Sequence, residues 1–119
     1  GQAMAFDNRQ LYRVAHRLRE ASGYLELGMS QQTLDCLEGL GELGPFEGEV
    51  NLLLGEAYGA QERFEEAAAS LKTAARALPP PHRRPAFLAL SMLYREAGDT
   101  HGAIQALARA RGAGLPKPK

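Results

Sequence analysis

Apolar residues recur at helical spacing along the chain. Val50, Leu54 and Ala57 are separated by four and three residues, and the same spacing returns at equivalent places farther on. This spacing puts apolar side chains on one face of an α-helix, whereas a half-buried strand would alternate apolar and polar residues. Prolines such as Pro45 and Pro79 interrupt the pattern, and proline ends helices. The pattern predicts an all-α chain in which turns separate the helices.

Start and stop residues divide the pattern into six helices. Asp7 is predicted to cap the first helix and to form a capping box with Gln10. Ser30 is predicted to cap the second helix, and Asp99 or Thr100 the sixth. The predicted helices cover about residues 8–27, 31–43, 46–60, 63–78, 85–97 and 100–112.

A repeat underlies these six helices. Tyr24 and Tyr58 are 34 residues apart, and Tyr94 follows 36 residues later. Each tyrosine is followed at fixed distances by a small residue, a leucine, and then leucine or alanine, and a proline closes each unit. These positions are Thr33, Ala67 and Ala103; Leu37, Leu71 and Leu107; Leu40, Ala74 and Ala110; and Pro45, Pro79 and Pro116. The chain therefore contains three units of two helices each.

The second unit resembles the tetratricopeptide repeat (TPR) family, whose units contain about 34 residues. The matching residues are Leu54, Gly55, Tyr58, Ala67, Leu71, Ala74 and Pro79. The third unit keeps most of these features and the first is degenerate. The resemblance implies a right-handed α-solenoid of three antiparallel helix-turn-helix hairpins. It implies a single TPR domain over 1–119, with repeats at about 14–47, 48–81 and 84–117 and tails at 1–6 and 113–119.

In proteins similar to this one, ligand peptides lie in a concave groove lined by the first helix of each hairpin. By register, the groove is predicted to consist of Leu18, Ser22, Leu25, Leu52, Glu56, Gly59, Leu88, Met92 and Arg95. Glu49 and Leu53 lie at its edges. This largely aliphatic lining favours a non-catalytic module that binds an apolar or amphipathic segment of another protein. The chain's own residues 1–6 or a second copy are the other candidate occupants.

One class of TPR modules binds the C-terminal carboxylate of chaperones through lysine, asparagine and arginine side chains. The matching positions of this chain are Leu18, Ser22, Leu53, Pro85 and Ala89. None of these side chains can form such a carboxylate clamp. The sequence therefore predicts no binding to the acidic C-terminal tails of the major heat-shock chaperones.

The two ends of the predicted stack differ in polarity. On the first helix of each unit, the face toward the preceding unit is apolar in units two and three. The first unit carries His16, Glu20 and Gly23 there, as expected of a polar end cap. Ile104 and Leu107, on the sixth helix, have no predicted following helix to cover them. An uncovered apolar face is expected if the chain is part of a longer parent protein. Otherwise the face would mediate homo-oligomerisation or assembly as a scaffold, which is the alternative to partner binding in the groove.

Charge and hydropathy exclude several classes of partner. Lys+Arg and Asp+Glu both number 14, whereas nucleic-acid-binding domains normally carry a basic excess, so no nucleic acid is expected. The longest apolar run, residues 86–90, is too short for membrane insertion. The single cysteine, Cys36, excludes an internal disulfide and favours a reducing, cytoplasmic setting.

No arrangement of residues indicates catalysis. His16, His82 and His101 lack the spacing of metal ligands, and no phosphate-binding loop or nucleophile motif occurs. Cys36 is expected to be a packed side chain rather than a nucleophile. The sequence thus predicts neither an enzyme, nor a cofactor, nor a metal site.

Two basic groups remain in the sequence. Arg9, Arg13 and Arg17 follow one another at intervals of four, which places them on one face of the first helix. His82, Arg83 and Arg84 form a basic loop. Either group could bind an anion or an acidic partner, although a solvated surface is the favoured interpretation of both.

Overall fold

The structure, a computed structural model, describes residues 6–113. This part of the chain is helical and contains no β-strand, which confirms the all-α prediction. The helices are α1 (Asn8–Glu26), α2 (Ser30–Leu37), α3 (Glu47–Ala60), α4 (Phe64–Ala77), α5 (Arg84–Glu96) and α6 (Thr100–Gly112). Short 3-10 turns at Gly44–Phe46 and Pro80–His82 precede α3 and α5. Apart from Phe6 and Ala113, the predicted tails lie outside the described residues.

Two of the predicted helix caps are confirmed. The Asp7 carboxylate accepts a hydrogen bond from the Gln10 amide at 3.0 Å, and Asp99 accepts one from the Gly102 amide at 2.8 Å. The Ser30 prediction is wrong because Ser30 is already the first residue of α2, and the preceding residue offers no side-chain cap. The capping box is wrong in its second half, because the Gln10 side chain bonds elsewhere, as described next.

The second helix is shorter than predicted. It ends at Leu37 rather than at residue 43. Gly39 and Gly41 have φ angles of 68° and 74°, in the left-handed region that glycine adopts without steric cost and that ends a helix. Residues 38–43 are therefore an irregular segment between α2 and the turn before α3.

Side chains of α1 bind the carbonyl groups of that irregular segment. The Gln10 amide donates to the carbonyl oxygens of Leu40 and Glu42, at 2.5 and 2.7 Å. The Arg13 guanidinium donates to the carbonyl oxygens of Leu40 and Gly39, at 2.9 and 3.1 Å. These four bonds fix the segment against α1 where no helical hydrogen bonds are available.

Successive helices pack against each other, and the pairs α1/α2, α3/α4 and α5/α6 share the most extensive contacts. Contacts that skip one helix join α1 to α3 and α3 to α5. Within the described residues, α2, α4 and α6 contact one another less than α1, α3 and α5 do. The molecule measures 48 × 40 × 22 Å, and the shortest dimension equals about two helix diameters.

The core includes small residues and leucines at the repeat positions. Ala21, Ala67 and Ala74 are completely buried, and Leu71 is almost so. A Cβ atom added at Gly55 would collide with the Leu71 side chain. Glycine at this position therefore allows α3 and α4 to approach closely, as the repeat pattern predicts.

The repeat is also visible in the backbone of the turns within the three pairs. Five residues after each tyrosine, an amide donates to the carbonyl oxygen of Tyr24, Tyr58 or Tyr94, at 2.9, 3.0 and 2.8 Å. One residue before each donor, φ is positive: 74° at Gly28, 59° at Glu62 and 83° at Gly98. The three turns therefore have the same local geometry.

Candidate interaction site

A cleft of about 630 Å³ lies between the first and third helices. We refer to it as the α1–α3 cleft. It is lined by Ala15, Leu18, Arg19, Ser22, Gly23 and Glu26 of α1, by Phe46, and by Glu49, Leu52 and Leu53 of α3. Spacings of three and four residues along α1 and α3 place these side chains on the facing sides of the two helices.

Some of the predicted groove residues line this cleft. Leu18, Ser22 and Leu52 do so, together with the predicted edge residues Glu49 and Leu53. The remaining predicted residues lie outside it; they are Leu25, Glu56, Gly59, Leu88, Met92 and Arg95. The structure therefore brings one part of the predicted stripe together, on α1 and α3.

The groove positions beyond the cleft differ from one another in exposure. Met92 is 54% exposed, and Glu56 and Arg95 are also exposed. Leu25 and Leu88 are half-buried. Gly59 lies against α5, because a Cβ atom added there would be 3.6 Å from a Leu93 methyl group.

The floor of the α1–α3 cleft is apolar and continuous with the core. Leu18 and Leu53 are half-buried and pack against the core cluster that contains Val14. Leu52 packs against the clusters that contain Leu71 and Ala74. These leucines therefore stabilise the fold and also present apolar surface to a ligand.

The rim of the cleft is charged. Arg19, Glu26 and Glu49 are exposed, and none of the three forms an ion pair within residues 6–113. Farther along α3, desolvation of the Glu56 carboxyl by its neighbours raises its pKa above the usual value, although the residue as a whole is exposed. Glu49 and Glu56 are two turns apart and share one face of α3. This face of α3 therefore favours a cationic ligand group.

A second and larger cleft, of about 960 Å³, lies between α4, α5 and α6. Four cationic side chains line it: Lys72 and Arg76 of α4, Arg83 of the linker before α5, and Arg109 of α6. The sequence indicated only Arg83, as part of the basic loop. The other three were missed because they come from helices that are distant in sequence, although the four-residue interval between Lys72 and Arg76 was a detectable sign.

Within the arginine stripe on α1, Arg13 has a structural role. Arg13 is bound to backbone carbonyls, as described above. His16 and Glu20 lie 3.4 Å apart on the exposed face of the same helix. The exposure of His16, Glu20 and Gly23 agrees with a polar face at this end of the molecule.

The thiol of Cys36 is 7% exposed. Burial raises its pKa; the carboxylate of Glu20 adds to the increase, and the guanidinium of Arg17 opposes it. A buried thiol of raised pKa is mainly protonated at neutral pH and reacts slowly. Cys36 therefore packs as a small core residue.

The outer face of α6 is apolar and exposed. Ile104 is 63% exposed and Leu107 is 37% exposed. At the positions equivalent to Leu107, Leu37 and Leu71 are 6% and 1% exposed. The following helix pairs cover those two leucines, whereas within residues 6–113 no helix follows α6.

Within the described residues, no helix is both long and apolar enough to traverse a lipid bilayer, and no three side chains of His, Cys, Asp or Glu form a group suited to hold a metal ion. Comparisons with protein-family models, with curated proteins and with solved structures find no match to the chain.

Proposed function

We propose that the six helices form three TPR hairpins stacked as a right-handed solenoid. Three features support this arrangement: the equivalent turns at Tyr24, Tyr58 and Tyr94, the contacts of α3 with both α1 and α5, and the thickness of about two helices. In such a stack the odd-numbered helices line the concave side, so the α1–α3 cleft is part of the groove.

In this proposal the protein is a non-catalytic module that binds an amphipathic segment of a partner protein in the α1–α3 cleft. The observation that carries it is the combination of an apolar floor, formed by Leu18, Leu52 and Leu53, with the unpaired carboxylates of Glu26 and Glu49. The floor favours aliphatic or aromatic side chains, and the carboxylates favour lysine or arginine beside them. A cytoplasmic partner is part of the proposal, because the single cysteine favours a reducing compartment.

The partner segment carries at least one basic residue, and this distinguishes it from the chain's own N-terminus. Residues 1–6 contain no lysine, arginine or histidine, so they do not complement the carboxylates. The segment binds as a helix or as an extended peptide. Its affinity is modest unless it is ordered before binding, because ordering a flexible peptide opposes association.

A charge reversal at Glu49 tests this proposal without disturbing the core. Peptides are selected from a display library on the wild-type protein, and their affinities are measured by fluorescence anisotropy. Glu49→Lys is expected to weaken a selected basic, amphipathic peptide about tenfold, the scale of one charge-assisted hydrogen bond. Glu49 is used instead of Leu52 because Leu52 also packs against the core.

Glu47→Lys is the matched control. Glu47 and Glu49 are both exposed and both lie in the first turn of α3, so reversal of either charge has a similar effect on the helix dipole. Glu47 does not line the cleft, and its variant should bind within about twofold of wild type because exposed charges at a distance are screened. The proposal would be contradicted if Glu47→Lys and Glu49→Lys lost affinity for the peptide equally. Selection of peptides that lack basic residues would also contradict it.

Self-association through α6 is the second candidate function. It is favoured by the exposure of Leu107 at a position where the equivalent leucines are covered. In this case a second copy covers Ile104 and Leu107, and the chain serves as an assembly scaffold. Light scattering would then give a dimer mass for the wild type and a monomer mass for Ile104→Lys, whereas a wild-type monomer at all concentrations would eliminate this candidate.

A further inference from the structure

The cleft between α4, α5 and α6, which we call the basic cleft, has an excess of positive charge. Lys72 and Arg76 are one turn apart on α4, and Arg109 lies on α6; all three are exposed. Among residues 6–113, the only carboxylate that lines the cleft is that of Asp99, and it already accepts a hydrogen bond from the Gly102 amide. Within the described residues, none of these cations forms an ion pair.

The cleft also has an ordered apolar floor. The half-buried rings of Phe87 and Tyr94 lie in it with the buried side chain of Leu90. The Arg109 guanidinium is 6.0 Å from the centre of the Phe87 ring, and Arg83 is held by a 2.7 Å hydrogen bond from its Nε to the Leu78 carbonyl oxygen. Cations held beside an apolar floor can bind a carboxylate and an apolar side chain together.

The positive charge is not a general property of the repeat. The equivalent cleft beside α2 is lined by Asp35 and Glu38, with Arg63 as its single cation. Glu38 follows Leu37 just as Lys72 follows Leu71. The same scaffold position is therefore acidic in one unit and basic in the next, so the scaffold itself does not require a cation there.

We propose that the basic cleft binds an acidic segment of a partner protein. Carboxylates of the segment pair with Lys72, Arg76 and Arg109, and an apolar or aromatic side chain of the segment lies on the floor. Charge complementarity selects this occupant. The side chains of the chain's own residues 114–119 include no carboxylate, and their charges, at Lys117 and Lys119, are positive.

An acidic protein segment fits the basic cleft better than a nucleic acid does. The chain has no net charge, whereas binding to nucleic acid depends on neutralising many phosphates. This second interaction surface is independent of the α1–α3 cleft, so either proposal can fail without the other.

The test is a titration with a fluorescein-labelled peptide rich in glutamate and phenylalanine, at physiological ionic strength. Arg109→Glu is expected to weaken binding about tenfold, the effect of losing one charge-assisted hydrogen bond. Arg111→Glu is the matched control, because both arginines are exposed and lie in the last turn of α6. Arg111 points away from the cleft, since residues two apart face different sides of a helix, and its variant should bind within about threefold of wild type.

Two comparison probes complete the test: the same peptide with glutamine in place of glutamate, and an oligothymidylate. The proposal requires the glutamate peptide to bind most tightly and to weaken as salt is raised. The proposal would be overturned if the glutamate peptide showed no detectable binding. It would also be overturned if Arg109→Glu and Arg111→Glu lost affinity equally, or if the glutamine peptide bound as tightly as the glutamate peptide. Tighter binding of the oligothymidylate would overturn it in favour of a nucleic-acid site. Circular dichroism of both variants establishes that they fold.

Discussion

Glu62 adopts a backbone conformation that the other two units assign to glycine. Its φ of 59° corresponds to 74° at Gly28 and 83° at Gly98. For a residue with a Cβ atom, this left-handed conformation lowers the stability of the fold by about 1 kcal/mol or more. The Glu62 side chain is exposed and makes no hydrogen bond or ion pair among the described residues, so nothing observed offsets this cost.

Stability measurements on three variants test this interpretation. Glu62→Gly should raise the free energy of unfolding by about 0.5–1 kcal/mol, because relief of the strained φ exceeds the added entropy of the unfolded chain. Gly98→Ala should lower it by about 1 kcal/mol. A Cβ atom at Gly98 would have no neighbour within 4 Å, so the loss would come from the backbone alone.

Gly23→Ala is the control for these variants. Gly23 lies inside α1, and a Cβ atom added there would also meet nothing within 4 Å. Alanine should therefore stabilise the helix by about 0.5–1 kcal/mol. Urea denaturation of all four proteins measures the differences. If Gly98→Ala proved no less stable than Gly23→Ala, the turn conformation at residue 98 would not be strained.

At the scale of the elements, local signals account for most of the helix boundaries. Five helices lie within one residue of their predicted ends, because periodicity, caps and prolines act over a few residues. The end of α2 was misplaced because the two glycines after Leu37 were not recognised as stops. The side chains that donate to the carbonyl groups of residues 39, 40 and 42 could not have been predicted, since Gln10 and Arg13 are 26 or more residues away in sequence.

Arg13 is expected to be the most important cation of α1 for stability. Arg13→Ala removes two hydrogen bonds to the carbonyls of Gly39 and Leu40 and should lower the free energy of unfolding by about 1–3 kcal/mol. Arg9→Ala is the matched control on the same stripe. Arg9 is exposed and makes no side-chain hydrogen bond or ion pair among the described residues, so its removal should cost no more than about 0.5 kcal/mol. If thermal denaturation showed similar losses of stability in Arg13→Ala and Arg9→Ala, Arg13 would have no special role.

The candidate clefts were less predictable than the helices. Leu18, Ser22 and Leu52 of the predicted stripe line the α1–α3 cleft, but the register did not show that the cleft ends before Leu25 and Glu56. That limit depends on how closely whole helices approach each other, which no local pattern specifies. The basic cleft depends on the same long-range packing.

Across the whole molecule the net charge is zero, but the two clefts differ in the sign of their charged side chains. The α1–α3 cleft has two carboxylates and one guanidinium, whereas the basic cleft has four cationic side chains and one carboxylate. The first cleft lies between α1 and α3, and the second lies between α4, α5 and α6. The two surfaces are therefore suited to segments of opposite charge, from two partners or from two parts of one partner.

The most direct test of partner binding in the α1–α3 cleft is to map the contact surface by NMR. The selected basic, amphipathic peptide is titrated into ¹⁵N-labelled protein, and the shifts of the backbone amides are followed. The largest changes are expected around Leu18, Ser22, Glu49 and Leu52, on the facing sides of α1 and α3. Changes concentrated instead around Ile104, on α6, would contradict it.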